Sequence, residues 1–226
     1  MSEKLSELPA TIDLNPSGGQ AQASVIWMHG LGADGNDFVP MIEQFKQLKN
    51  QKVRFVFPHA PIRPVTVNGG MKMRAWYDIA ELDLSRQEDM IGIKESEKRI
   101  HLLIEREESL SIASNKIVLA GFSQGGAMAL YAGLRFPKPL AGIIALSCYL
   151  PSPISFAAER HSKNQNTPIF MAHGLFDPVV PLMLGQMSKD QLEGLGYPVD
   201  WHSYSMPHSV LPEEIKDIDE FLQRIL

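Results

Sequence analysis

The sequence carries a single cysteine, Cys148, in 226 residues. One thiol excludes an internal disulfide framework and any cysteine-rich zinc site. Positive charge is also scarce: Lys plus Arg total 21 against 26 for Asp plus Glu, a formal net charge of −5 with no long basic block. That balance offers nothing to draw nucleic acid. Long apolar runs are missing too. The longest, such as Gly142 to Leu146 and Lys116 to Ala120, are strand-sized, well short of the roughly 18 residues a membrane span requires. The opening MSEKLSELPATIDL has no apolar core of signal-peptide length and mixes acid with base. Internal repeats and low-complexity segments are absent by inspection. The hydrophobic fraction of 44% is nevertheless ample for a core. These features predict a cytoplasmic, globular protein without an integral membrane segment. We expect one domain over residues 1–226, with order uncertain in the first 20.

Short β-rich runs alternate with longer segments of helical period. Ala23 to Met28, Val53 to Phe57, Lys116 to Ala120, Gly142 to Leu146, Pro168 to Ala172 and Val199 to Tyr204 read as strands. Their near-continuous hydrophobicity marks strands covered on both faces, as in a parallel sheet. Helices are expected over Phe38 to Leu48, Ile93 to Glu107, Gln124 to Arg135, Leu182 to Leu195 and Glu213 to Ile225. Strand then helix, repeated, implies right-handed crossovers onto a mostly parallel sheet flanked by helices on both faces, an α/β fold. Pro58 to Asp78 is the exception, rich in proline and carrying Gly69-Gly70. A connection that long is functional or irregular.

Gly30-Leu-Gly32-Ala-Asp-Gly35 matches the dinucleotide fingerprint G-x-G-x-x-G and lies between a strand and a helical segment. That fingerprint also wants a carboxylate at the end of the next strand, which instead closes Phe57-Pro58-His59-Ala60. Asp34 would also bring negative charge near the phosphates. The loop reads better as a Gly-rich turn whose backbone N–H groups point into a site.

Gly121-Phe-Ser123-Gln-Gly125 fits G-x-S-x-G, with a strand before it and a helix after it. Such a turn is tight and strained, and glycines at its flanks remove clashes that side chains would cause. The helix N-terminus beside it favours a developing oxyanion. The alternative is a serine that merely caps the helix. A serine nucleophile needs a base, and seven histidines compete. His29 and His173 each end a strand before a glycine and read as turn-shaping. His59, His101, His161 and His202 lie after the second strand, in a helix, in a polar segment and within the last strand. His208, in the loop before the final helix, occupies the base position in the chain order serine, acid, histidine. For the acid, Asp177 follows the Pro168–Ala172 strand in a loop stiffened by Pro178 and Pro181. Asp190 and Asp200 fall mid-helix and at a strand start. The oxyanion donors expected of this architecture are the N–H of Gln124 and one from His29-Gly30-Leu31-Gly32, best supplied by Leu31.

Taken together, these motifs are similar to those of the carboxylesterase and acyl-protein thioesterase family of α/β-hydrolases, over roughly Ala21 to Ile225. The matching stretches are Val25 to Gly35, Arg63 to Met71, Arg74 to Ile79, Gly121 to Gly126, Ala145 to Ser147, and His173-Gly174 with Asp177. Trp76 to Ile79 and Ala33 to Gly35 resemble the bacterial carboxylesterase branch. The resemblance implies Ser123 as nucleophile, Asp177 as acid, His208 as base, and Leu31 and Gln124 as oxyanion donors. Two positions depart from the pattern: Pro207 where glycine is frequent, which bears on how freely His208 moves, and Cys148, read as a small buried residue. The implied activity is cofactor-free, metal-free hydrolysis of short- to medium-chain carboxylic esters, or of an acylated substrate, through an acyl-serine. Acyl-protein thioesterase and lysophospholipase are the alternatives, and a silent binding protein of the same fold is the other class. The resemblance leaves a homodimer open. The long loop, with Val65, Val67, Met71, Met73 and Trp76, either lines the acyl side or merely covers the sheet. Met183 falls near the same mouth, where adaptable thioethers suit several acyl shapes.

Overall fold

The computed structural model describes residues 8–16, 19–46, 48, 52–80 and 88–226. Nine strands are found among them: β1 (Thr11–Leu14), β2 (Ala23–Met28), β3 (Val53–Pro58), β4 (Ile62–Val65), β5 (Met71–Arg74), β6 (Ile117–Phe122), β7 (Gly142–Leu146), β8 (Ile169–Gly174) and β9 (Val199–Tyr204). The α-helices are α1 (Met90–Ser109), α2 (Gln124–Arg135), α3 (Pro153–Glu159), α4 (Leu182–Gly194) and α5 (Pro212–Ile225). Seven strands form one sheet in the order β1-β3-β2-β6-β7-β8-β9. All its pairings are parallel except β1 with β3. The inner parallel strands are covered on both sides, every residue of β2, β3, β7 and β8 being buried. That is why they read as unbroken apolar runs.

Each face of the sheet has its own core. On one, Ile100, Leu103 and Ile104 of α1, the apolar residues of α2, Phe156 of α3 and Leu192 of α4 pack together. On the other lie Ile215, Ile218, Phe221 and Leu222 of α5, with Phe38, Met41 and Phe45. The doubly covered, mostly parallel sheet is the α/β architecture expected.

Three details depart from expectation. The segment predicted as a helix over Phe38 to Leu48 forms instead a short 310 turn, Val39–Gln44, with Pro40 near its start. Phe38 and Met41 are still buried, because a spacing of three suits either helix. The expected loop Pro58 to Asp78 contains the β4–β5 hairpin, closed by Gly69 and Gly70 at φ 66 and 77. Prolines 61 and 64 obscured it, although an edge strand tolerates them. Within the uncertain first 20 residues, Thr11–Leu14 pair with β3, while residues 1–7, 17 and 18 lie outside the described residues. Asp13 ties this strand down through Arg54 (2.6 Å) and Arg106 (3.2 Å), and Arg54 also reaches the buried Glu107 (3.0 Å). The short helix α3 carried no sequence expectation.

Candidate active site

The carboxyl ends of β2, β6, β8 and β9 converge, and loops leaving them carry His29, Ser123, Asp177 and His208. Parallel sheets place their sites at this edge.

Ser123 stands between β6 and α2 at φ 55 and ψ −121, with its side chain making no cap bond. Such a backbone costs a non-glycine residue about 1–3 kcal/mol. It persists because both of its own peptide groups are anchored: Ser123 N–H donates to Leu146 O (2.8 Å), and Ser123 O accepts Ala127 N–H (3.0 Å). Gly125 sits so close under β2 that a Cβ there would lie 2.2 Å from Met28 O. The hydroxyl is thus neither spent on capping nor buried, since Ser123 is half-exposed.

The acid and base loops are laced side by side. The β8–β9 ladder continues past its ends through Leu175 N–H to Tyr204 O (2.8 Å) and Phe176 N–H to Met206 O (3.1 Å). Gly174 permits this approach, as a Cβ there would meet Pro207 O at 2.4 Å. Pro207 therefore sits in the seam between the loops, where its carbonyl also accepts Ser209 N–H (2.9 Å). Asp177 has a fully buried side chain. Its Oδ1 accepts the N–H groups of Val179 and Val180, both at 2.8 Å, and its Oδ2 lies 2.6 Å from His208 Nδ1. A carboxylate can only accept, so Nδ1 carries the proton and Nε2 is left as the basic atom. The His208 ring packs at a tilt against Phe122, the residue before Ser123, at a centroid distance of 4.6 Å. His173 backs the acid loop. Its Nε2–H donates to Val180 O (2.8 Å), and burial lowers its pKa below the usual histidine value.

The opposite wall is buried and densely bonded. The side chain of Gln124 accepts Trp76 N–H (2.8 Å) and donates to Tyr77 O (2.8 Å). Trp76 Nε1–H donates to His29 O (3.0 Å). Gly32 N–H reaches Arg74 O (2.9 Å), and the Arg74 guanidinium donates to Ala60 O (2.9 Å). Gly30 lies against the elbow, its Cβ position 3.5 Å from Ser123 Cβ. The Gly-rich loop is therefore fastened to the nucleophile turn and to the long 58–80 segment.

The structure separates the residues expected at the acyl mouth. Met71 and Met183 are exposed, Met73 is half-buried with its sulfur against Gly32, and Val65 is buried. Trp76 is wholly buried, so it cannot line the mouth. It lies beneath the site as a strut between His29 and Gln124. Cys148 is buried, and burial pushes its thiol well above its usual pKa. Sequence reasoning missed the apolar side chains on the acid loop itself: Leu175, Phe176 and Val179 are all exposed beside Asp177. Their signal was their adjacency to the carboxylate.

The fold, with its strand–Ser123–helix turn and the Asp177–His208 contact beside the same sheet edge, is that of an α/β-hydrolase. Residues 12–226 match the family described as phospholipase/carboxylesterase, and the chain belongs to it as a hydrolytic enzyme. Acyl-protein thioesterase 1 of Gibberella zeae is 43% identical over 220 residues, covering 93% of this chain and 94% of the relative. The protein of the same name from Neurospora crassa is 44% identical over 218 residues, covering 92% and 89%. Among solved structures, Arabidopsis thaliana SOBER1 superposes with a TM-score of 0.85 at 31% identity, covering 90% of this chain and 99% of that one. Acyl-protein thioesterase 2 of Zea mays gives 0.85 at 28% identity, covering 96% and 98%. The curated relatives named are fungal, so they lend no support to the bacterial branch suggested by Trp76 to Ile79 and Ala33 to Gly35.

No described helix is long and apolar enough to cross a membrane.

Proposed function

We propose that this protein hydrolyses acyl thioesters and carboxylic esters through an acyl-serine intermediate on Ser123. The observation that carries the reading is the 2.6 Å contact between Asp177 and His208 Nδ1, made by a carboxylate already locked by two backbone N–H groups. Ser123 Oγ attacks the acyl carbonyl as His208 Nε2 takes its proton. The same imidazolium returns that proton to the leaving thiol or alcohol, and water then repeats the sequence on the acyl-enzyme. Asp177 holds the required tautomer and stabilises the charged ring. The N–H groups of Leu31 and Gln124 receive the oxyanion; the latter heads α2, where first-turn N–H groups have no intrahelical partner.

The choice of thioester rests on the relatives named acyl-protein thioesterase. The exposed Met71, Leu175, Phe176, Val179 and Met183 suit an acyl chain carried on a larger partner. The test is turnover across a chain-length series of thioesters and matched oxygen esters by the wild type and Ser123→Ala. The variant should lose at least about 10⁴-fold in kcat and take no label from a fluorophosphonate. Unchanged hydrolysis by the variant overturns the reading.

A further inference from the structure

His29 ends β2, is almost fully buried, and makes two bonds whose partners each have only one role. Ala60 N–H can only donate, and it lies 3.1 Å from Nε2; Gly30 O can only accept, and it lies 2.7 Å from Nδ1. Nε2 is therefore a bare lone pair and Nδ1 carries the hydrogen. Burial lowers the pKa to about 4, so the ring is neutral near neutral pH. With both nitrogens engaged, this histidine has no free atom for acid–base work.

What the ring holds, by a shorter bond than the one from Ala33 N–H to the same carbonyl (3.3 Å), is the Gly30–Leu31 peptide. In a trans peptide the C=O and N–H point in opposite directions, so anchoring Gly30 O fixes the direction of the Leu31 N–H. The anchor matters because turning this plane over changes ψ of Gly30 and φ of Leu31, and Gly30 offers no side chain to resist it, while Gly32 beyond is already at φ 77. Glycine allows a peptide plane to turn over, and a turned plane would present a carbonyl where a donor is needed. The preceding carbonyl, His29 O, is held by the Trp76 indole, so two successive carbonyls are each held by a side-chain donor.

We propose that His29 is a positioning residue for the oxyanion hole: its Nδ1–H holds Gly30 O back and so presents the Leu31 N–H to the acyl oxygen. The proposal rests on the acyl-serine reading above.

Two substitutions separate the two ring bonds. His29→Asn keeps a donor near the Nδ1 position and loses the acceptor for Ala60, whereas His29→Gln keeps an acceptor near Nε2 and loses the donor for Gly30 O. Removing one oxyanion donor costs about 10²–10³ in kcat. His29→Gln should therefore lose about 100-fold in kcat with KM within about threefold, and lose affinity for a trifluoromethyl ketone in parallel. His29→Asn should recover most of that kcat even where its Tm is the lower of the two. Equal kcat losses that follow Tm would show a packing role and overturn the proposal. Independently of either variant's folding, ¹⁵N spectra of the wild type should show a neutral, Nδ1-protonated His29; an Nε2–H tautomer overturns it as well. If Ser123→Ala proves active, the acyl-serine reading has failed. If Ser123→Ala is dead and His29→Gln is fully active, only the positioning role has.

Discussion

On one side of Ser123, the loops after β8 and β9 hold His208 near the surface over the buried Asp177 carboxylate, among exposed Leu175, Phe176 and Val179. On the other side, His29, Trp76 and the Gln124 side chain are buried and tied to one another and to the 58–80 segment by main-chain bonds. The proposed proton-transfer side depends on a few side-chain contacts in a seam between adjacent strands. The proposed oxyanion side depends on bonds to the main chain that join the His29 loop, the 58–80 segment and the start of α2. A reaction that moves protons tolerates a mobile imidazole, whereas stabilising a charge that exists only in the transition state requires donors already in place.

Substitutions can probe that division, and the largest effect belongs to the proton-transfer side. Asp177→Asn keeps the acceptor for Val179 and Val180 but turns an amide N–H toward His208 Nδ1. The wrong tautomer is then favoured, and kcat should fall about 10⁴-fold with little change in circular dichroism or Tm. On the other side, Trp76→Phe keeps most of the packing and removes the donor to His29 O, leaving a buried acceptor unpaired at a cost of about 1–3 kcal/mol. We expect about a tenfold loss of kcat on every substrate, short or long. A change confined to chain-length preference would instead return Trp76 to the acyl mouth. Replacing Met71 and Met183 together by Ser should raise KM for a long acyl chain about tenfold, from the loss of apolar contact, and leave the shortest ester unaffected. The smallest effect on rate belongs to Glu214→Gln. Glu214 is buried near the start of α5, just beyond the His208 loop, and burial pushes its carboxyl up to about 8. Between an ordinary carboxylate pKa and 8 the folded state holds a proton the unfolded chain has released, so stability declines as pH rises through that window. The Gln variant should lack this decline, with Tm profiles from pH 5 to 9 diverging toward the alkaline end and neutral-pH turnover unchanged.

Much of the architecture was legible because buried parallel strands announce themselves. Ala23–Met28 and Gly142–Leu146 were read at their observed ends, as was the half-buried edge strand Val199–Tyr204. The strands that escaped, β1, β4 and β5, are short and at edges, where one neighbour is enough and composition is less constrained. In the site, the elbow, Asp177 and His208 could be picked out by motif and chain order, and the structure brings the latter two into contact. The Trp76 strut could not, because a large aromatic in a long loop looks the same whether it faces a ligand or the core. The His29 clamp was half visible: the sequence marked a turn-shaping histidine, but its partner Ala60 comes from another strand's end. Hydrogen bonds between distant main-chain segments leave no periodicity to read.

The positive φ of Ser123 also bears on what this enzyme can become. A β-branched side chain does not settle at φ 55, so threonine is closed to this position despite its hydroxyl, and cysteine is the alternative nucleophile the turn admits. Change at the elbow is thereby confined to serine and cysteine, and in the proposed reading acyl specificity is left to Met71, Met183 and the acid-loop residues.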